Sequence, residues 1–101
     1  MLNEMEIKRN CEENKYSYRH FQTTVLIMTG VDTWRITEME HNRLLVEHAN
    51  KRNNRKGKMQ FHPQRIAQDV DWVFSNIIVP HQNYNRTFQK AFRIKELLKQ
   101  A

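Results

Sequence analysis

A stretch of regularly spaced apolar residues in the second half of the chain, from Gln64 to Val79, constrains the fold most strongly. Its apolar side chains recur at steps of three and four, namely Ile66, Ala67, Val70, Val73, Phe74, Ile77 and Ile78. A helix with 3.6 residues per turn gathers such positions on one face. Pro63 suits the first helical position, and Pro80 pushes the residue before it out of the helical region. The pattern predicts a central amphipathic helix over residues 64–79.

Other segments are compatible with helices that pack against this one. Residues 16–28 combine a helical stripe with β-branched side chains, so a helix is favoured and a short strand stays an alternative. Thr37 followed by Glu40 has the form of a capping box, which predicts a helix extending through Arg52. A last helix would begin near Tyr84 and run towards the C-terminus. The chain has 101 residues with only two glycines and two prolines, which disfavours an all-β design. We therefore expect an all-α fold, a small bundle of three to four helices.

The expected organisation is a polar N-terminal segment, residues 1–15, followed by a single helical domain, residues 16–101. In the N-terminal segment, Asn3 followed by Glu6 could cap a short helix, and the alternative is a frayed or partner-ordered segment. The first residues lack the apolar core of a secretory signal, and no apolar run approaches the ~20 residues of a membrane span. A single cysteine, Cys11, excludes an intrachain disulfide. We expect a soluble, cytoplasmic protein.

The positive charge of the chain is concentrated in one predicted loop, residues 50–60. The formal net charge is +6, and five of the 17 lysines and arginines lie within the loop: Lys51, Arg52, Arg55, Lys56 and Lys58. Without them, 12 cations face 11 carboxylates. Cations crowded among asparagines and a glycine can contact a phosphate backbone. The sequence thus predicts a non-enzymatic nucleic-acid-binding protein with low sequence specificity, supported by Arg86, Lys90 and Arg93 on the last helix.

The alternative is a protein-interaction module, such as a small inhibitor or adaptor, that binds an acidic protein surface. Trp34 and Trp72 would then contribute to the interface together with the basic loop. Trp72 and Val79 lie off the main apolar stripe of the central helix, and another helix, a homodimer or a partner could bury them. Charge alone does not distinguish a nucleic acid from an acidic protein.

No arrangement in the sequence indicates catalysis or a cofactor. On the predicted helix, His41 and His48 are seven residues apart, about 10.5 Å along the axis, whereas a metal site needs a spacing of three or four. The serines, Ser17 and Ser75, lie outside a nucleophile-elbow motif, and carboxylates next to Cys11 oppose thiolate formation. We expect no enzyme activity, no metal, no cofactor and no small-molecule substrate.

Overall fold

A computed structural model describes residues 2–51 and 58–84 of the chain. Five strands form one sheet in the order β1–β2–β3–β4–β5, and each strand pairs with the next in antiparallel orientation. The strands are β1 (Ser17–Phe21), β2 (Thr24–Met28), β3 (Asp32–Met39), β4 (Arg43–Asn50) and β5 (His62–Ala67). Helix α1 (Glu4–Asn14) precedes the sheet, and helix α2 (Val70–Val73) follows it. Helix α2 continues through a π-helical turn, Phe74–Ile78, into helical residues 79–84, and we call residues 70–84 the α2 segment.

Side chains of alternating burial explain why the central segments form strands. In β3, Trp34 and Ile36 are buried, whereas Arg35 and Thr37 are only partly buried. In a strand, successive side chains point to opposite faces, so one face of the sheet is apolar and the other is mixed. The buried side chains of the sheet and of both helices form a single core, so both helices pack against the apolar face. The sheet supplies Val25, Ile27, Trp34, Ile36, Leu44, Val46 and Ala67, and the rest of the core comes from Leu2, Ile7, Cys11, Val70, Val73, Phe74 and Ile78.

The predicted all-α helical bundle is therefore wrong. The helix expected after Thr37 is replaced by a hairpin, in which β3 and β4 are joined by a 3₁₀ turn, Glu40–Asn42. Thr37 does not cap a helix but pairs with Leu45 in the hairpin. The three successive apolar residues 44–46 suit either structure, and propensity is a weak guide where pairing with neighbouring strands buries the alternate side chains.

The helix predicted over residues 64–79 differs from the structure at both ends, because the helix begins later, at Val70, and continues further, to residue 84. Residues 62–67 form β5 and pair with β4, with Pro63 in this edge strand, where the missing N–H is tolerated. The helix begins later, because the Asp69 side chain accepts hydrogen bonds from the backbone N–H groups of Asp71 and Trp72 and caps α2. From there the predicted apolar face is buried in the core.

Pro80 does not end the helix, since helical structure continues to residue 84. A π-helical turn precedes the proline, and in it the Val79 N–H donates to the carbonyl of Phe74. Wider turns of this kind and prolines are both places where the regular helical hydrogen bonding is interrupted. The helix passes through the proline with an altered hydrogen-bonding pattern.

For the N-terminal half, the structure selects between the alternatives left open by the sequence. Of the two states considered for residues 1–15, it shows the helix: Asn3 accepts hydrogen bonds from the N–H groups of Met5 and Glu6, and Ile7 and Cys11 are buried in the core. The favoured helix over residues 16–28 is absent, and the strand alternative describes this segment, which forms β1 and β2.

Within the described ranges, no helix combines the length and apolarity required to cross a lipid bilayer.

Candidate functional site

A cluster of polar side chains lies where β3 begins and β4 ends, which we call the Asp32 end of the sheet. Asp32 is the first residue of β3 and pairs with Asn50, the last residue of β4. The turn before it is closed by a hydrogen bond from the Thr29 N–H to the Asp32 carbonyl, 3.0 Å long. Within that turn Gly30 has φ +118°, a conformation that side-chain-bearing residues rarely adopt. The turn geometry thus determines where the Asp32 carboxylate lies.

The Asp32 side chain is fully buried, and polar groups from two other elements contact it. His48 Nε2 lies 2.8 Å from Oδ1, and the Asn50 amide donates to the same oxygen at 3.0 Å. His81 Nε2 lies 3.3 Å from Oδ2. Removing a carboxylate from water costs free energy unless hydrogen bonds or opposite charge compensate. The two imidazoles and the amide provide part of this compensation.

The strand register brings His48 to this position. His48 pairs directly with Trp34, so its ring lies on the same face of the sheet as Trp34 and Asp32. The ring centroids of His48 and Trp34 are 4.4 Å apart. Trp34 is almost fully buried, with 2% of its surface exposed, and forms the floor of the cluster.

The α2 segment supplies His81, the third member of the cluster. The Gln82 amide donates to the Thr29 carbonyl at 2.9 Å, and the Thr29 hydroxyl lies 3.1 Å from the Gln82 side-chain oxygen. These two hydrogen bonds hold the α2 segment against the turn before Asp32. As a result the His81 ring lies edge-on to Trp34, with centroids 5.3 Å apart, and 5.1 Å from the His48 ring.

The cluster is buried on one side and open on the other. The side-chain exposure rises from 0% at Asp32 to 19% at His48 and 36% at His81. Two imidazole nitrogens and one carboxylate therefore converge at a place that solvent reaches from the side of His81. Such a donor set can bind a cation or exchange protons with a ligand.

The sequence-predicted basic loop begins at the same end of the sheet. Lys51 directly follows Asn50, and its N–H donates to the Val31 carbonyl at 2.9 Å. Lys58 is exposed on the returning chain. The loop is therefore the connection between β4 and β5, not the frayed end of a helix. The other predicted contacts, Arg52, Arg55, Lys56, Arg86, Lys90 and Arg93, lie outside the described residues.

The two tryptophans assigned to a protein interface have different positions. Trp34 is in the core beneath the cluster and offers no surface to a partner. Trp72 is partly buried on the α2 segment, and the Arg65 guanidinium lies 4.6 Å from its ring centroid. Trp72 and Arg65 line an open groove of about 380 Å³ near the end of β5.

A second group of carboxylates among the described residues lies where α1 meets α2. Arg9 and Asn10 of α1 both donate to the carboxylate of Asp71, at 2.8 Å and 2.7 Å. The hydrogen bond from Asn10, followed by that from Arg9, lowers the pKa of the Asp71 carboxyl. Asp69 and Glu6 lie nearby, but Asp69 serves as the cap of α2.

Burial raises the pKa of the Cys11 thiol to about 11, which makes it a weak nucleophile at neutral pH.

Sequence reasoning missed the cluster because it placed His48 on a helix. The signal was present in the alternation of residues 44–50, where Leu44, Val46, His48 and Asn50 recur at steps of two. That period is typical of a strand, and it would have put His48 and Asn50 on one face. The contribution of His81 depends on tertiary packing and has no local signal.

Comparisons of the chain with family models, with curated proteins and with solved structures each find no match. The function must be argued from the geometry and charge of the chain itself.

Proposed function

We propose that the protein binds nucleic acid through the phosphate backbone, without catalysing a reaction. Two segments would supply the contacts: the first basic segment, residues 51–58, and the second basic segment, residues 85–101. Together they contain ten lysines and arginines and one carboxylate. The remainder of the chain has seven such cations and ten carboxylates, so it carries a net negative charge. A surface charge divided in this way favours a polyanionic partner over general solubility.

The observation that carries the proposal is that described residues preceding both basic segments meet at the Asp32 end of the sheet. Asn50, immediately before the first segment, and His81, four residues before the second, contact the same carboxylate. The two segments are far apart in sequence, and the shared contact with Asp32 relates the residues that precede them. We propose that one polyanion contacts cations of both segments, which would increase the number of phosphates neutralised at once.

The described residues provide no set of side chains arranged to read base edges, so the expected binding has low sequence specificity. Affinity would come from counterion release and fall steeply as salt rises. Lysine and arginine contacts to phosphate position a protein on nucleic acid but carry no sequence information.

The test is fluorescence anisotropy with arbitrary duplex and single-stranded oligonucleotides over a salt series. We expect the double variant Arg55→Gln/Lys56→Gln to bind more weakly. On duplex DNA its negative slope of log K against log salt should become less steep by about 2. The matched control is Lys8→Gln/Arg43→Gln, which removes the same charge from α1 and from the opposite end of the sheet. Binding that is absent at low salt, insensitive to salt, or equally weakened by the control would refute the proposal.

An acidic protein surface is the second candidate partner, favoured by one observation. The groove beside Trp72 has an arginine, Arg65, stacked over an aromatic ring, and these two residue types are enriched in protein interfaces. Affinity capture from extract with and without nuclease separates the two candidates. A stoichiometric protein that stays bound after nuclease treatment, and is lost in Trp72→Ala, would favour this alternative.

A further inference from the structure

We propose that Asp32, His48 and His81 form a binding site for a divalent transition-metal ion of the Zn²⁺ type. The three side chains come from β3, β4 and the α2 segment, and they would supply one carboxylate oxygen and two imidazole nitrogens. This proposal is independent of nucleic-acid binding, and it opposes the expectation drawn from histidine spacing on a helix. That expectation lost its basis when His48 was found on a strand.

The distances between the donor atoms fit a shared ion. Zn²⁺ binds nitrogen and oxygen ligands at about 2.0–2.1 Å, so neighbouring ligands around one ion are about 3.0–3.4 Å apart. The carboxylate oxygens of Asp32 lie 2.8 Å from His48 Nε2 and 3.3 Å from His81 Nε2. All three donor atoms fall within 4.8 Å of one another. The three donor atoms are thus close enough together for one ion to contact all of them.

The charge environment also favours a cation. The Asp32 carboxylate is fully buried, and the contacts described above come from two imidazoles and an amide. A buried carboxylate is stabilised by hydrogen bonds together with a positive charge. A divalent ion held between the carboxylate and the imidazoles would add a positive charge to the contacts that Asp32 already makes.

Neighbouring side chains hold the three donors in place. Asn50 donates to Asp32 Oδ1 and orients the carboxylate, while the ring of Trp34 packs against both imidazoles. The hydrogen bonds between Gln82 and Thr29 fix the end of the α2 segment that carries His81. Outer groups of this kind orient the ligands in metal sites and strengthen binding.

The donor set indicates which ions fit and what kind of site results. Two imidazoles and one carboxylate suit Zn²⁺, Fe²⁺ and neighbouring transition metals better than Ca²⁺ or Mg²⁺, which prefer oxygen ligands. Three protein ligands leave at least one coordination position for water or for an anionic ligand, as in open zinc sites. That position would face solvent beside His81, the most exposed of the three.

The experiment uses the full chain without an affinity tag, because a polyhistidine tag would itself bind the ion. After treatment with EDTA and its removal, ZnCl₂ is titrated in by calorimetry, and equilibrium dialysis gives the number of ions per chain. We expect one ion per chain and a rise in Tm with added Zn²⁺. The variants His81→Gln and His48→Gln should each lower the affinity about 100-fold or more, and Asn50→Ala should lower it about 10-fold.

The matched control is His41→Asn, which removes an exposed histidine at the opposite end of the sheet. His41 has φ 61°, and asparagine tolerates this left-handed conformation, so folding is preserved. This control should bind Zn²⁺ as the unmodified chain does. His81 is more than a third exposed, so His81→Gln should fold, which circular dichroism checks, and His48→Gln is the second test. Absence of stoichiometric binding to the unmodified chain, or unchanged affinity in both folded variants, would overturn the proposal.

Discussion

Two adjacent leucines in β4 give the sharpest test of the sheet. Leu44 is 1% exposed in the core, whereas Leu45 is partly exposed on the other face, between Thr37 and Ile66. A helix with the broad apolar face expected from the sequence would use both side chains in a similar way. The sheet buries the two leucine side chains to different extents, because neighbouring residues of a strand point to opposite faces. Leu44→Ala and Leu45→Ala are therefore a matched pair, identical in chemistry and adjacent in sequence.

The size of the difference follows from burial. Replacing a fully buried leucine by alanine costs about 3–5 kcal/mol, because a cavity is added to the lost transfer free energy. Truncation of Leu45 should cost less, about 1–2 kcal/mol, since part of its surface stays in water in the folded protein. The difference of about 2 kcal/mol corresponds to about 10 °C in Tm for a domain of this size. It also corresponds to about 1 M in the urea midpoint.

Urea unfolding followed by circular dichroism and tryptophan fluorescence measures both variants. The two probes must give coincident transitions and an unchanged m-value, so that the midpoints report the free energy of unfolding. Equal destabilisation by the two substitutions, or a larger effect of Leu45→Ala, would contradict the assignment of Leu44 to the core face.

Three further measurements test local features. Cys11 should react slowly with iodoacetamide in the folded protein and quickly in urea. Because its folded pKa is raised to about 11 from 9.0, the stability that this shift contributes is present below pH 9 and is lost as pH rises towards 11. The Cys11→Ala variant should lose less stability over the same pH range in urea unfolding. Gly30→Ala should cost about 1–3 kcal/mol in urea unfolding, entirely from φ +118°, since an added Cβ meets no atom within 4 Å; no loss would refute the strained turn. Asn3→Ala should cost about 1 kcal/mol by removing the cap of α1 while Asn3→Asp should not, and equal stability of the two variants would argue against the cap.

Local signals in the sequence indicated the structure, or kept it open, where a single element decides it. The apolar face of residues 70–78 was predicted from the sequence, and the Asn3 cap of α1 was one of two alternatives that the sequence left open. The β-branched residues of the segment 16–28 kept a strand open as an alternative. In each case the side chains that decide the outcome lie within a few residues of one another.

The fold class was missed because the turns of this sheet do not use the expected residues. Few glycines and prolines argued against strands, yet the chain reverses at Gln22, His41 and Asn42, which adopt positive φ values of 40°, 61° and 56°. Asparagine tolerates this region, and the pairing of the flanking strands can hold less suited residues there. Gly30, which follows the segment for which a helix was favoured, lies in a turn between two strands. Scarcity of turn residues is therefore weak evidence against a hairpin.

The candidate site was beyond local reasoning because its donors are joined by register and packing. His48 reaches Asp32 only if β3 and β4 pair with Trp34 opposite His48, and a slip of one residue would turn the imidazole to the other face. His81 reaches it only if the α2 segment crosses the apolar face and meets the turn at Thr29. The same contacts bring together Asn50 and His81, which precede the two basic segments in sequence. Register and helix docking thus create the donor cluster together, and disruption of either should weaken the binding of a metal ion there.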